Sequence, residues 1–329
     1  MQRINFVKAV ASGNDFIIID ATRYPLPATR LYKKLAKELC KRKFGIGADG
    51  LLLVEPSQKA DFRMRIFNPD GSEAEMCGNG ARCAALHATR KRTQEKKIKI
   101  ETKAGIVEAE IQTRYPQNIK IKMPQPKNFK LDIPLKIDNK SISVSFVNLG
   151  VPHAVVFVKN LEKVDVQNLG RKIREHQEFQ PEGTNVNFVQ VLTGETVRIR
   201  TYERGVEEET LSCGTGSVAA AIIAERKAQS TKRKLPRTAP NSPEGQAYGA
   251  GKTTGQAEHK INPVGNFAKN SLNSKGVSHI AKVISKRVNV HTQGEILKVY
   301  LDEQLKDVYL EGEARIIYFG SIVNATKQV

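Results

Sequence analysis

Cys77-Gly78-Asn79-Gly80-Ala81-Arg82-Cys83-Ala84-Ala85 has a counterpart 136 residues further along the chain: Cys213-Gly214-Thr215-Gly216-Ser217-Val218-Ala219-Ala220-Ala221. Each stretch places a cysteine, then Gly-x-Gly, just before a run of small residues with helical spacing. The repetition extends upstream. Phe6 to Ile19 echoes Phe146 to Val158, and Arg65-Ile66-Phe67 precedes Asn68-Pro69-Asp70-Gly71 much as Ile199-Arg200-Thr201-Tyr202 precedes Glu203-Arg204-Gly205. The chain is read as a duplication, each half presenting one cysteine at a helix start.

Short apolar runs dominate the remainder: Phe16 to Ile19, Leu51 to Val54, Phe62 to Phe67, Val155 to Val158, Val186 to Val191, Val197 to Tyr202 and Arg315 to Phe319. These predict strands, and Leu31, Leu35, Leu39 and Cys40 predict a helix, so the fold class is α+β and strand-rich. At 329 residues the length suits two domains. The longest apolar run, Val218 to Ala224, is far short of the roughly 20 residues of a membrane helix, and the first residues show no signal-peptide pattern. A cytoplasmic protein without a membrane partner is expected. Four cysteines without a Cys-x-x-Cys pair fit a reducing compartment, and no spacing suggests a metal site.

The net charge is +19. Residues 226–287 hold 13 Lys and Arg against Glu244 and Glu258, which leaves only +8 on the rest. That segment is rich in Pro, Gly, Ser and Asn and has little apolar period, so it is expected to be a flexible insertion. Nucleic acid, if bound at all, would be bound there. Gly45-Ile46-Gly47-Ala48-Asp49-Gly50 fits Gly-x-Gly-x-x-Gly but runs from helix to strand, the reverse of a dinucleotide site, and Gly251-Lys252-Thr253 lacks the earlier P-loop glycine and a preceding strand.

A cysteine at a helix start lies beside unpaired backbone N–H groups and the positive dipole end, which should lower its pKa and favour thiolate. The glycines allow a ligand close to the backbone, and the free N–H groups suit a carboxylate. Two such ends facing each other suit proton exchange at the carbon beside that carboxylate, one sulfur on each face. A lone buried cysteine is usually inert, but two in duplicated contexts are hard to attribute to packing. Cys83, whose counterpart is Ala219, and Cys40, on an apolar helical stripe, are assigned to the core.

At these residues the chain resembles the diaminopimelate epimerases. The resemblance rests on Gly13-Asn14-Asp15-Phe16, Gly45 to Gly50, Asn68-Pro69-Asp70-Gly71-Ser72, Met76-Cys77-Gly78-Asn79-Gly80-Ala81-Arg82, Pro152-His153, Asn185-Val186-Asn187-Phe188, Glu203-Arg204-Gly205 and Cys213-Gly214-Thr215-Gly216. It implies cofactor-independent interconversion of L,L- and meso-diaminopimelate, in lysine and peptidoglycan-precursor biosynthesis. Cys77 and Cys213 would be the two bases, with His153 and Glu203 helping to set their protonation. Gly78, Asn79, Gly214 and Thr215 would surround the reacting carboxylate, and Asn14, Asn68, Asn185, Glu203 and Arg204 would hold the amino and distal carboxylate groups. The implied fold is two pseudo-symmetric lobes, each a curved, mostly antiparallel sheet around a central helix. The lobes are expected at 1–124 plus 311–329 and at 125–310, the second interrupted by 226–287. A homodimer is left open.

Two departures stand out: the family often has Gln at Gly50 and Asn at Val151, and its Gly-Gly turn here reads Gln293-Gly294-Glu295. The competing readings are a two-cysteine racemase of another amino acid, such as proline or hydroxyproline, and a nucleic-acid-binding protein acting through the insertion.

Overall fold

The computed structural model describes residues 3–22, 29–90, 96–112, 117–234 and 286–323. Eighteen strands, numbered in chain order, join one hydrogen-bonded sheet. From one edge the order is β18 (Arg315–Val323), β1 (Arg3–Ala11), β2 (Asn14–Asp20), β3 (Gly50–Glu55), β4 (Phe62–Phe67), β6 (Lys97–Thr102), β7 (Gly105–Ile111) and β8 (Asn118–Lys122). From the other edge it is β9 (Lys127–Ile137), β10 (Lys140–Asn148), β11 (Pro152–Phe157), β12 (Asn185–Thr193), β13 (Thr196–Glu203), β15 (Lys286–His291), β16 (Ile296–Leu301) and β17 (Val308–Glu313). In both series the third and fifth pairings are parallel and the rest antiparallel. The series meet where β8 pairs with β17, Ile121 opposite Leu310. Short strands occupy matching places: β5 (Glu73–Ala74) on β4 and β14 (Glu208–Thr210) on β13.

Parallel pairs need crossovers, and helices supply them. α1 (Thr29–Leu39) links β2 to β3, and α3 (Val166–Arg174) links β11 to β12. α2 (Gly78–Thr89) and α4 (Gly214–Lys234) follow β5 and β14. The amphipathic pair lies outside: α1 buries Tyr32, Leu35 and Ala36 in one cluster, and α3 buries Val166 and Ile173 against Phe188 and Tyr202 in another. α2 and the first half of α4 are surrounded instead. Ala81, Cys83, Ala84 and Ala85, and Val218 to Ile223, all enter the central cluster, which explains side chains that are small and apolar on every face.

The predicted strands and the helices at Leu31, after Gly80 and after Gly216 are all present. α3 was missed. It is short, and its start is set by the Asp165 side chain, which accepts from Asn168 N–H. The insertion is corrected at both ends. α4 runs through Lys234 and β15 opens at Lys286, which leaves 235–285, and these lie outside the described residues. No described helix is long and apolar enough to cross a membrane.

Leu310, fully buried, packs under both helix starts: a Cβ added to Gly78 or Gly214 would lie 3.9 or 3.0 Å from its Cδ2. Leu310→Ala should therefore lower the unfolding free energy by about 3 kcal/mol in urea titration; a loss below about 1 kcal/mol would contradict this packing.

Candidate active site

Cys77 is the N-cap of α2. Its backbone is extended (φ −142°, ψ 121°), its carbonyl accepts from Ala81 N–H at 2.8 Å, and its Sγ accepts from Gly80 N–H at 3.4 Å. Cys213 has the same arrangement at α4, with Ser217 N–H on its carbonyl at 2.8 Å and Gly216 N–H on its Sγ at 3.4 Å. The two starts converge: a Cβ on Gly214 would lie 3.9 Å from Asn79 Oδ1 in the first turn of α2. Gly214 in particular needs to lack a side chain here, since its Cβ would press on Leu310 Cδ2 at 3.0 Å.

The expected lowering of the thiol pKa is not what results. Burial pushes Cys77 up despite N–H groups at its sulfur, and it pushes Cys213 up as well, with the Glu203 carboxylate adding to the effect. At a helix end exposed to water the dipole would win; here desolvation outweighs it. Burial also raises Glu203, which accepts from Thr210 Oγ1 at 2.6 Å and from the Cys213 thiol. Thr215 Oγ1 lies 3.5 Å from the same sulfur.

His153 is wholly buried. Its Nδ1 is 3.1 Å from Asn187 Nδ2, which can only donate, so the proton is on Nε2. Burial, aided by the Arg204 charge, pushes its pKa down to about 3 and keeps the ring neutral. Asn185 is already engaged, its Nδ2 donating to the Pro152 carbonyl at 3.2 Å and its Oδ1 accepting from Arg204 N–H at 2.9 Å. The Asn185 side chain thus fixes the backbone that carries half-buried Arg204. Asn68 sits in an exposed turn and donates to Ser72 Oγ at 2.9 Å.

Asn14 and Asn79 meet directly, Asn79 Nδ2 donating to Asn14 Oδ1 at 2.5 Å. The structure thus brings Asn14, Cys77, Gly78, Asn79, Cys213, Gly214, Thr215 and Glu203 together, with His153 and Asn185 on adjoining strands, Arg204 in the turn just after β13, and Asn68 apart on its own turn.

With this geometry in hand, the relatives can be read. The family model for diaminopimelate epimerase matches residues 6–128 and 145–241. The diaminopimelate epimerase of Archaeoglobus fulgidus is 46% identical over 233 residues, 68% of this chain and 82% of that protein. The chain belongs to the diaminopimelate epimerase family. A second member, from Chlorobaculum tepidum, is 34% identical over 314 residues, 94% of this chain and 98% of its own. In fold, the chain resembles the crystal structure of a probable proline racemase from Agrobacterium radiobacter, with a TM-score of 0.62 at 14% identity, covering 97% of this chain and 93% of that one.

The structure shows tight surroundings at Gly50: an added Cβ would meet the Phe16 ring and the Phe67 carbonyl, each at 3.3 Å. Around the site, sequence reasoning missed Ser12, Asp49, Thr210, Asn187 and Glu295. Asp49 sits within the declined glycine motif, where Arg42 Nη2 reaches its Oδ1 at 2.5 Å and Asp15 N–H its Oδ2 at 3.1 Å. Asp15 is paired with Lys8 at 2.8 Å and with Arg42 at 2.9 Å; burial alone would raise its pKa, but these cations hold it at about 2.

Raised thiol pKa values mean little thiolate at neutral pH without substrate. Iodoacetamide alkylation of Cys77, followed by peptide mass spectrometry, should therefore keep accelerating above pH 9. A plateau at or below pH 8 would contradict the burial argument.

Proposed function

We propose that this protein epimerises L,L-diaminopimelate to meso-diaminopimelate with Cys77 and Cys213 as the proton carriers, serving lysine and peptidoglycan-precursor synthesis. The observation that carries this reading is the convergence of two cysteine-capped helix starts above Leu310, in a chain of this family. The α-carboxylate would lie on the N–H groups of both helix ends, where Gly78, Asn79, Gly214 and Thr215 leave the backbone accessible.

In one direction the Cys213 thiol, hydrogen-bonded to Glu203, passes its proton to that carboxylate, whose own raised affinity for a proton suits it as acceptor. The Cys213 thiolate then takes the α-proton. Negative charge moves into the carboxylate, where the helix N–H groups stabilise it, and the Cys77 thiol delivers its proton to the opposite face. The atoms balance: one C–H bond breaks, one forms, the thiols exchange states, and the proton left on Glu203 returns to the Cys77 thiolate through solvent to restore the starting enzyme. The reverse reaction exchanges their roles, so the titration belongs to the pair. Both carriers come from the chain, so the step uses no cofactor. His153, neutral and held by the Asn187 amide at its Nδ1, does not act as a proton carrier. Arg204 offers the distal carboxylate a bidentate partner, with Asn14, Asn68 and Asn185 completing or supporting the polar wall.

We also read the two strand series as two pseudo-symmetric lobes, each curved around its own helix, α2 or α4; because β17 runs unbroken from Val308 to Glu313, the boundary expected between 310 and 311 moves to the end of that strand. What supports this is the identical order of parallel and antiparallel pairings on either side of the β8–β17 pair.

Reduced protein incubated with L,L-diaminopimelate in deuterated water should form the meso isomer with deuterium at the inverted α-carbon. Cys77→Ser and Cys213→Ser should each lower kcat at least a thousandfold. Inversion without deuterium uptake, or persistence of activity in either variant, would overturn the two-thiol reading.

A further inference from the structure

Arg82 is completely buried, and its guanidinium has only donors to offer. Its Nη2 donates to Asn79 Oδ1 at 2.6 Å, Asn79 Nδ2 donates to Asn14 Oδ1 at 2.5 Å, and Asn14 Nδ2 donates to Asp49 Oδ2 at 3.2 Å. At the far end the Asp49 carboxylate, ion-paired with Arg42, only accepts. A chain of two amides between an obligate donor and an obligate acceptor has one polarity. Neither asparagine can turn over without setting N–H against N–H or oxygen against oxygen.

The buried charge of Arg82 is balanced from a distant part of the chain. Glu295 Oε1 accepts from Arg82 Nη1 at 2.9 Å and also from Ser12 Oγ, while its Oε2 accepts from Glu313 N–H at 3.1 Å. Ser12 Oγ accepts from Arg82 Nη2 as well. The turn carrying Glu295 is tied in turn to the Cys213 segment, Gly294 N–H donating to the Leu211 carbonyl at 3.0 Å. Gly312 leaves the room for this arrangement: a Cβ there would lie 2.5 Å from Leu297 Cδ2 and would run into the Arg82 guanidinium itself.

We propose that Arg82, balanced by Glu295, and Asp49 are positioning residues that lock the amides of Asn79 and Asn14 in one orientation. Each amide then presents its second N–H to the site while its oxygen is engaged, so that this wall selects a carboxylate and not an ammonium group. The inference rests on the substrate reading given above, in which Asn14 and Asn79 contact the diaminopimelate.

The deciding variant is Asp49→Asn, which can donate to Asn14 and so removes the directional constraint; Asp49→Glu keeps the acceptor, and Arg42→Gln keeps Asp49 while removing its ion pair. Asp49→Asn should raise KM for diaminopimelate about tenfold or more with kcat within threefold, since the binding lost is common to substrate and transition state. Asp49→Glu should recover most of the KM, and Arg42→Gln should leave it within threefold. An unchanged KM in Asp49→Asn, or equal loss in Asp49→Asn and Asp49→Glu, would overturn the proposal. A readout independent of turnover separates its failure from that of the substrate reading. In protein labelled with 15N-asparagine, the Asn14 and Asn79 side-chain amide signals should both shift in Asp49→Asn, with folding checked by the melting temperature. If neither shifts, the coupled chain is wrong whatever the enzyme acts on.

Discussion

Everything at the site depends on two helix N-termini being held close together, each with a cysteine sulfur on an N–H of its first turn. Such an approach sets like partial charges together and leaves donors buried, which is unfavourable without an anion between them. The fold imposes it through packing. Leu310 and Ile121, opposite each other where the two strand series join, form the floor, and the small residues of α2 and α4 let strands of both series pack against the helices. In the proposed mechanism the cost is returned when a carboxylate enters, and the charge that develops during proton removal would appear where those donors already point.

The same burial shapes the acids and bases. A cysteine capping a helix in water would ionise readily, yet here desolvation holds both thiols protonated and raises Glu203 alongside them. Cys213 and Glu203, each raised by burial and each acting on the other, are thus both reluctant to carry charge. His153 goes the other way, neutral because burial disfavours its cation.

Much of this was legible in the chain because it is local. The alternating runs became strands, the Ala-rich stretches became the enclosed helices, and the repeated Cys-Gly-x-Gly marked their starts. α3 was not legible: Val166, Leu169 and Ile173 give only two turns of apolar stripe, and the rest of the segment is polar. The thiol pKa values were misjudged because a sequence shows a helix end but not how dry it is. Arg82 was quoted within the motif without a role, since its partner Glu295 is 213 residues away and sits at a turn recognisable only as a departure from the family pattern. The insertion was expected to begin nine residues early because Arg226 to Lys234 is basic like the segment that follows, although it continues the helix.

The central claim is that one α-carbon sits between two sulfurs on opposite faces. A crystal structure of the Cys213→Ala variant with L,L-diaminopimelate tests it most directly. The account predicts the α-carboxylate on the N–H groups of both helix ends, with Cys77 Sγ on one side of the α-carbon and the position 213 side chain on the other. An α-carboxylate bound away from the helix ends, or both positions on the same face of the carbon, would contradict it.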